Sequence, residues 1–326
     1  MADSLLRPTS TISTAQSRAD RALLHLGRRL MADGYRFITP TPLTHQRVNA
    51  RAGNASASDR RGIFGWSRPF DAEAFEPAEW LELQEAGIVV KAHGRWHSTV
   101  RWSSLDSLLL AHSAFPTDDA DSVFFGPDTY RFAGVIDECL RQRFAPIHRA
   151  VDIGCGSGAG ALLVARARHN AEVLAVDINP SALRLSAVNA ELAEAPNVSV
   201  YHSDVLDSVE GHFDLILANP PYMKDSQQRA YRHGGGALGE ALSLRILREA
   251  LPRLTREGTL LLYTGVAIVD GRDAFLEAAR AMLTSDAFGW TYRELDPDVF
   301  GEELEKPGYE RVERIAAVVL TVTRLN

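Results

Sequence analysis

From about residue 125 onward, runs of β-branched and aliphatic residues alternate with stretches of helical periodicity. A parallel sheet with crossover helices is the fold class that accommodates this rhythm. Strands are expected at 149–153, 173–177, 198–201, 213–218, 259–264, 289–294 and 313–323, and helices at 129–142, 159–168, 181–193, 240–254 and 272–284. The last two strands are joined by a turn-rich segment around Pro297 and Pro307 that leaves no room for a helical crossover, so the final strand should run against its neighbours. The expected architecture is α/β and doubly wound: a mostly parallel seven-stranded sheet with one antiparallel strand.

The first 115 residues read differently. Helices are expected at 15–31, 41–52, 59–64 and 77–85, followed by a hairpin of 88–91 with 96–102 about His93-Gly94. This suggests a smaller α+β domain over 1–115, of winged-helix-like pattern and suited to recognition. Residues 116–124 read as a linker with solvated acids, and 125–326 as the second domain. A chain of 326 residues, 45% apolar, has enough material for two cores. Its two cysteines, Cys139 and Cys155, form no CxxC pair, which argues against a disulfide framework or a zinc site and fits a reducing compartment. No apolar run approaches a membrane span, and the N-terminus lacks a signal-peptide core, so a cytoplasmic location is expected. Residues 1–68 hold eleven arginines, no lysine and four acids, within a chain of net charge −7. Such asymmetry hints at an acidic partner such as nucleic acid; a solvated helix surface explains it as well.

Two motifs carry chemistry. The first is Val151-Asp152-Ile153-Gly154-Cys155-Gly156-Ser157-Gly158, between an apolar strand and a helix, where glycines admit unusual φ and let a ligand approach backbone. Asp177, at the end of the next strand, stands where an acid can grip two ribose hydroxyls. Taken alone, this pattern also satisfies the dinucleotide fingerprint Gly154-x-Gly156-x-x-Ala159, leaving nicotinamide and methyl-donor cofactors nearly even. Asp152 tips the balance, because an acid just before the first glycine can orient a cationic amino group but repels a pyrophosphate. Ser203-Asp204-Val205 adds an acceptor for an adenine amino group after the third strand.

The second motif is Asn219-Pro220-Pro221-Tyr222, directly after the apolar run 213–218. Neither proline donates an N–H, and each fixes φ near −65°, so the strand ends in a stiff turn. That turn presents a side-chain amide, a backbone carbonyl and an aromatic ring in fixed relation, an arrangement suited to gripping a planar NH2 group.

With both motifs on one sheet edge, the chain resembles the class I S-adenosylmethionine-dependent methyltransferases. Residues 125–325 resemble their amino-methyltransferase branch, which includes the release-factor glutamine N5-methyltransferases and ribosomal RNA small-domain methyltransferases. The resemblance implies a Rossmann-like methyltransferase fold and S-adenosyl-L-methionine as cofactor. By position it implies Asn219 and the Pro220 carbonyl as acceptors for the substrate NH2, with Pro221 and Tyr222 flanking the acceptor group. Asp152, Gly154, Gly156, Gly158, Asp177, Ile178, Asp204, Val205 and Asn219 would line the cofactor site. In Phe124-Phe125-Gly126-Pro127-Asp128-Thr129-Tyr130, Thr129 would also contact the cofactor.

His233-Gly234-Gly235-Gly236 has the look of an esterase oxyanion hole, but no G-x-S-x-G elbow accompanies it. Too polar and glycine-rich for core, 223–239 reads as a mobile substrate lid, and it resembles the glycine-containing loop at the same place in glutamine methyltransferases. His93, His97 and His112 lack ligand spacing, and no metal is expected. Ribosomal RNA or another nucleic acid, a protein glutamine and a small molecule remain open as methyl acceptors. A non-catalytic cofactor-binding scaffold is the contrasting class. Oligomeric state is left open.

Overall fold

The computed structural model describes residues 17–143, 145–224 and 232–325. The chain opens with four helices, α1 (Arg18–Ala32), α2 (Pro42–Asn49), α3 (Arg60–Phe64) and α4 (Pro77–Glu85). A capping box starts α1: Ser17 Oγ accepts the Asp20 N–H while the Asp20 carboxylate accepts the Ser17 N–H. Proline occupies the first turn of α2 and α4, where its missing N–H costs nothing.

Two hairpins follow, β1 (Val89–Ala92) with β2 (Arg95–Ser98), and β3 (Val100–Leu105) with β4 (Leu108–Ser113). The sequence suggested a single hairpin with 96–102 as one strand. The chain instead breaks at Thr99, and the apolar run Leu108-Leu109-Leu110-Ala111 supplies a fourth strand. Every residue of β3 is buried, so neither it nor β4 shows the alternation that marks a half-exposed strand.

The larger part then runs α5 (Pro127–Gln142), β5 (Arg149–Ile153), α6 (Ala159–Ala167), β6 (Glu172–Asp177), α7 (Pro180–Leu192), β7 (Val198–His202) and β8 (Phe213–Ala218). It continues with α8 (Ala241–Ala250), β9 (Leu254–Val269), β10 (Arg272–Asp273), α9 (Ala274–Met282), β11 (Phe288–Asp296) and β12 (Val312–Arg324). The sheet order is β11-β12-β9-β8-β5-β6-β7, with the two-residue β10 folded back on the end of β9. Within the seven-strand path only β12 is reversed, pairing antiparallel with both β9 and β11. This is the doubly wound, mostly parallel sheet that the alternation implied. One apolar layer packs α5 and α6 on one face, and a second packs α8 and α9 on the other. Strand order switches direction between β5 and β8, where open α/β sheets form a crevice at their carboxyl ends.

The N-terminal region sits on α7. Leu23, Leu26, Trp102 and Ala111 share one apolar cluster with Leu185, Val188 and Leu192. Gly27 makes this approach possible, since a Cβ there would lie 2.7 Å from Leu192 and 2.8 Å from Trp102. The fully buried Asn189 stitches the seam. Its Oδ1 accepts the Ala111 N–H at 2.8 Å, and its Nδ2 donates to the carbonyls of Ala111 at 3.0 Å and Ser157 at 2.8 Å. One side-chain amide thus completes the edge of β4 and ties it to the glycine turn. Among the described residues, no helix is long and apolar enough to cross a membrane.

Candidate active site

The carboxyl ends of β5, β6 and β8 open into one cleft. Thr129, Asp152, Gly154, Gly156, Asp177, Ile178, Asp204 and Val205 line it together with Asn219, Pro220, Pro221 and Tyr222. Gly158 does not. It sits at φ +81 at the start of α6, against Ser186, and serves the turn.

The β5–α6 turn forms a backbone cradle. Gly154 at φ +66 and Gly156 at φ +55 adopt left-handed conformations, and an added Cβ at either would meet nothing within 4 Å. Both therefore present bare backbone to the cleft. Beneath them Asp152 is 3% exposed and accepts the Ala161 N–H at 2.9 Å. Burial pushes its carboxyl up to about 7, a shift opposed by that hydrogen bond and reinforced by Asp177. Gly160 lets α6 come this close, since a Cβ there would fall 2.7 Å from Asp152 Oδ2.

Asp177 accepts the Gly156 N–H at 3.0 Å on Oδ2 and the Asn179 N–H at 2.9 Å on Oδ1. Each oxygen keeps lone-pair capacity for a further donor. Burial raises its carboxyl, against the pull of these backbone donors. Ile178 beside it is 49% exposed, an apolar side chain at the cleft wall. Two acids and an apolar residue over open backbone fit a ligand with an amino group, a diol and a planar ring. Asp204 is exposed and held by Arg245 Nη1 at 2.8 and 2.9 Å. Thr129 has its hydroxyl on the Gly126 N–H at 3.3 Å, capping α5. Cys155 is buried and its thiol is driven up by desolvation, so it stays protonated.

The Asn219-Pro220-Pro221-Tyr222 turn faces this cradle from β8. The half-buried Asn219 amide lines the cleft and makes no side-chain hydrogen bond among the described residues. Tyr222 is placed otherwise than as an open platform for an acceptor. It is 7% exposed, and its hydroxyl donates to Asp128 Oδ2. Its ring lies on Gly265 of β9, where a Cβ would clash at 2.2 Å. Phe300, held at φ 54 between β11 and β12, meets the ring edge-on at 6.1 Å and also lines the cleft.

Residues 225–231, the middle of the expected lid, lie outside the described residues. The flanks are pinned. The Met223 N–H donates to the Arg232 carbonyl, and the Gly234 N–H to the Met223 carbonyl, both at 3.0 Å. Gly234 and Gly239 press on the turn itself; a Cβ at Gly239 would lie 2.0 Å from the Tyr222 carbonyl oxygen, and one at Gly234 2.7 Å from that of Pro221. The glycines here serve close packing. Arg232 forms an ion pair with the buried Glu303, which also holds Lys306 at 2.7 Å. Of the three histidines, His112 is buried and bonded to Ser103 Oγ at 2.7 Å. Among the described residues, no cluster of histidine, cysteine and acidic side chains could hold a metal ion.

Sequence reasoning passed over Asp128, Gly160, Asn189, Gly265, Arg232 and Phe300. The Gly-Pro-Asp signature of a helix start was the one signal for Asp128, and Gly160 continues the glycine-rich turn; the others join the site through distant contacts.

Residues 135–268 match the family model described as the methyltransferase small domain. The chain is 49% identical over 75 residues to a release factor glutamine methyltransferase of Lactococcus lactis, covering 23% of this chain and 27% of that one. It is 32% identical over 174 residues to a ribosomal protein uL3 glutamine methyltransferase of Neisseria gonorrhoeae, covering 48% and 56%. It is 32% identical over 197 residues to a release factor glutamine methyltransferase of Deinococcus radiodurans, covering 57% and 66%. The matched stretches thus span between about a quarter and two thirds of these relatives' own lengths. Every cleft residue from Asp152 to Tyr222 falls inside the matched stretch, whereas Thr129 and Phe300 lie outside it.

Proposed function

We propose that the protein is an S-adenosylmethionine-dependent N-methyltransferase whose acceptor is the side-chain amide of a protein glutamine. The observation that carries this reading is the Asn219 amide, without a side-chain hydrogen bond among the described residues and set in the same cleft as the open glycine backbone and the buried Asp152. The names of the relatives, glutamine methyltransferases of release factors and of ribosomal protein uL3, favour a protein acceptor. The arginine-rich start gives RNA little support, because much of it is engaged internally. Arg18 pairs with Glu85, Arg29 with Glu82 at 2.5 Å and Arg60 with Glu79 at 2.7 Å.

S-adenosylmethionine, when bound, supplies an electrophilic methyl group on a sulfonium. Asp152 would hold its amino group, Asp177 its ribose hydroxyls, and Gly154 and Gly156 the backbone surface beneath it. Ile178, Asp204 and Val205 would form the adenine side, with Thr129 at the opposite wall. An amide nitrogen is a poor nucleophile because its lone pair is conjugated with the carbonyl. Asn219 Oδ1 and the Pro220 carbonyl would each accept one N–H of the acceptor, fix the plane of its NH2 and stabilise positive charge developing on nitrogen. Pro221 keeps those two acceptors at a fixed spacing. In this reading residues 125–326 form the catalytic domain, and 1–115, joined through 116–124, form the recognition domain in a cytoplasmic enzyme.

The test is to incubate the purified protein and labelled S-adenosylmethionine with a release factor, ribosomal protein uL3 and ribosomal RNA from the source organism. One added methyl on a glutamine peptide is expected by mass spectrometry. Label confined to RNA would overturn the assignment.

A further inference from the structure

Two tyrosine hydroxyls, one just past β8 and one within β9, converge on one carboxylate. Tyr222, after β8, donates to Asp128 Oδ2, and Tyr263 of β9 donates to Asp128 Oδ1 at 2.8 Å. Arg131 Nη1 adds a third donor to Oδ1 at 2.9 Å, while its Nη2 holds Asp296 at 2.6 Å. Asp128 is 3% exposed, and it is the second residue of α5, far in sequence from both tyrosines. Burial raises its carboxyl, whereas the three donors favour the charged form. A carboxylate kept this deep is costly unless its partners are fixed, and here all three are.

The consequence lies in the chain between Tyr222 and Asn219. Two prolines stiffen it, so a constraint on the Tyr222 ring passes to the two acceptors three and two residues upstream. The ring has no freedom elsewhere: Gly265 lies under its face, and Gly234 and Gly239 abut its backbone. The hydroxyl bond is the one point at which its position is set by a charged group.

We propose that Asp128 is a positioning residue for methyl transfer, which fixes Asn219 and the Pro220 carbonyl by anchoring the Tyr222 hydroxyl. This rests on the methyl-transfer reading above. Tyr222 is then an anchor of the turn and not the surface that meets the acceptor.

The test is a double-mutant cycle with Asp128→Asn and Tyr222→Phe, using ribosomal protein uL3 and a release factor as acceptors. Asparagine keeps the size but presents an acceptor at only one of its two terminal positions, and phenylalanine removes only the donor. Each single variant should lower kcat about tenfold, the loss expected for a hydrogen bond to a charged group, with acceptor KM within about twofold. Both variants remove the Asp128–Tyr222 bond, so the loss in the double variant should fall well short of the product of the two single losses. Losses that multiply, or a change in KM with kcat intact, would overturn the proposal. Hydrogen exchange of the cofactor-free proteins gives a reading that needs no acceptor. The amides of Met223 and Gly234 should exchange faster to the same extent in both single variants, and unchanged exchange would also overturn the anchor. If the unmodified protein methylates neither acceptor, the functional reading fails, while the exchange data still decide the role of Asp128.

Discussion

The two halves of the cleft are built by opposite means. The cradle half consists of turns that follow their own strands: Asp152, Gly154 and Gly156 come from one β–α connection, and Asp177 and Ile178 from the next. Its bonds, such as Gly156 N–H to Asp177, join adjacent strand ends. The Asn219–Tyr222 half is held from afar, by Asp128 on α5, Gly265 on β9, and Phe300 in the connection before β12. A backbone cradle can be made by local geometry alone, whereas the placement of the Asn219–Tyr222 turn is enforced from several directions.

Substitutions can break this contrast, and the largest effect belongs to Asn219→Ala. Removing one of two acceptors should lower turnover by about a hundredfold or more while calorimetry shows S-adenosylmethionine affinity nearly unchanged. Retained turnover would show that the halves are not divided as described. Next comes Asp177→Ala, which should weaken cofactor affinity by roughly ten- to a hundredfold and leave turnover at saturating cofactor close to normal.

Asp152 yields a pH dependence within the cradle half. Its folded-state pKa of about 7 lies above the ordinary 3.8. Above about 7 the carboxyl is charged and can pair with an ammonium; as pH falls through 7 it becomes neutral, and cofactor affinity should decline by up to about tenfold per unit. Asp152→Asn should bind weakly with a flat profile in the same titration. For the cofactor-free fold the sign reverses: this raised pKa makes stability fall as pH rises from about 4 towards 7, after which the loss is complete. Thermal unfolding at pH 5 and pH 8 measures it. The smallest effect is expected for Arg245→Ala at the exposed rim, which frees Asp204 from its ion pair. Exposed pairs contribute little, so cofactor affinity should change less than about threefold.

This difference also sets how much the sequence disclosed. The cradle was legible because a glycine turn, an acid before it and an acid at the next strand end are near neighbours with recognisable spacing. The reversed final strand was legible from the short connection before it. Asp128 was not, because its partners lie 94 and 135 residues away and no local pattern marks such a convergence. Tyr222 was read as a surface for the acceptor, since a tyrosine in a turn gives no sign that its hydroxyl is already taken. The same reasoning explains β3 and β4. Buried on nearly all sides, they lost the alternation by which strands announce themselves, and Asn189, which completes the edge of β4, comes 78 residues after Ala111.

That single asparagine has a bearing on how the protein is made. Synthesis runs from the N-terminus, so the first hundred or so residues emerge well before α7 has been translated. Until then Ala111 lacks the donor and the acceptor that Asn189 supplies, and the apolar side of α1 around Gly27 meets Trp102 but not Leu192. The nascent N-terminal region is therefore committed to waiting for a helix that has yet to be translated, and the glycine turn and the seam behind it are finished in the same event.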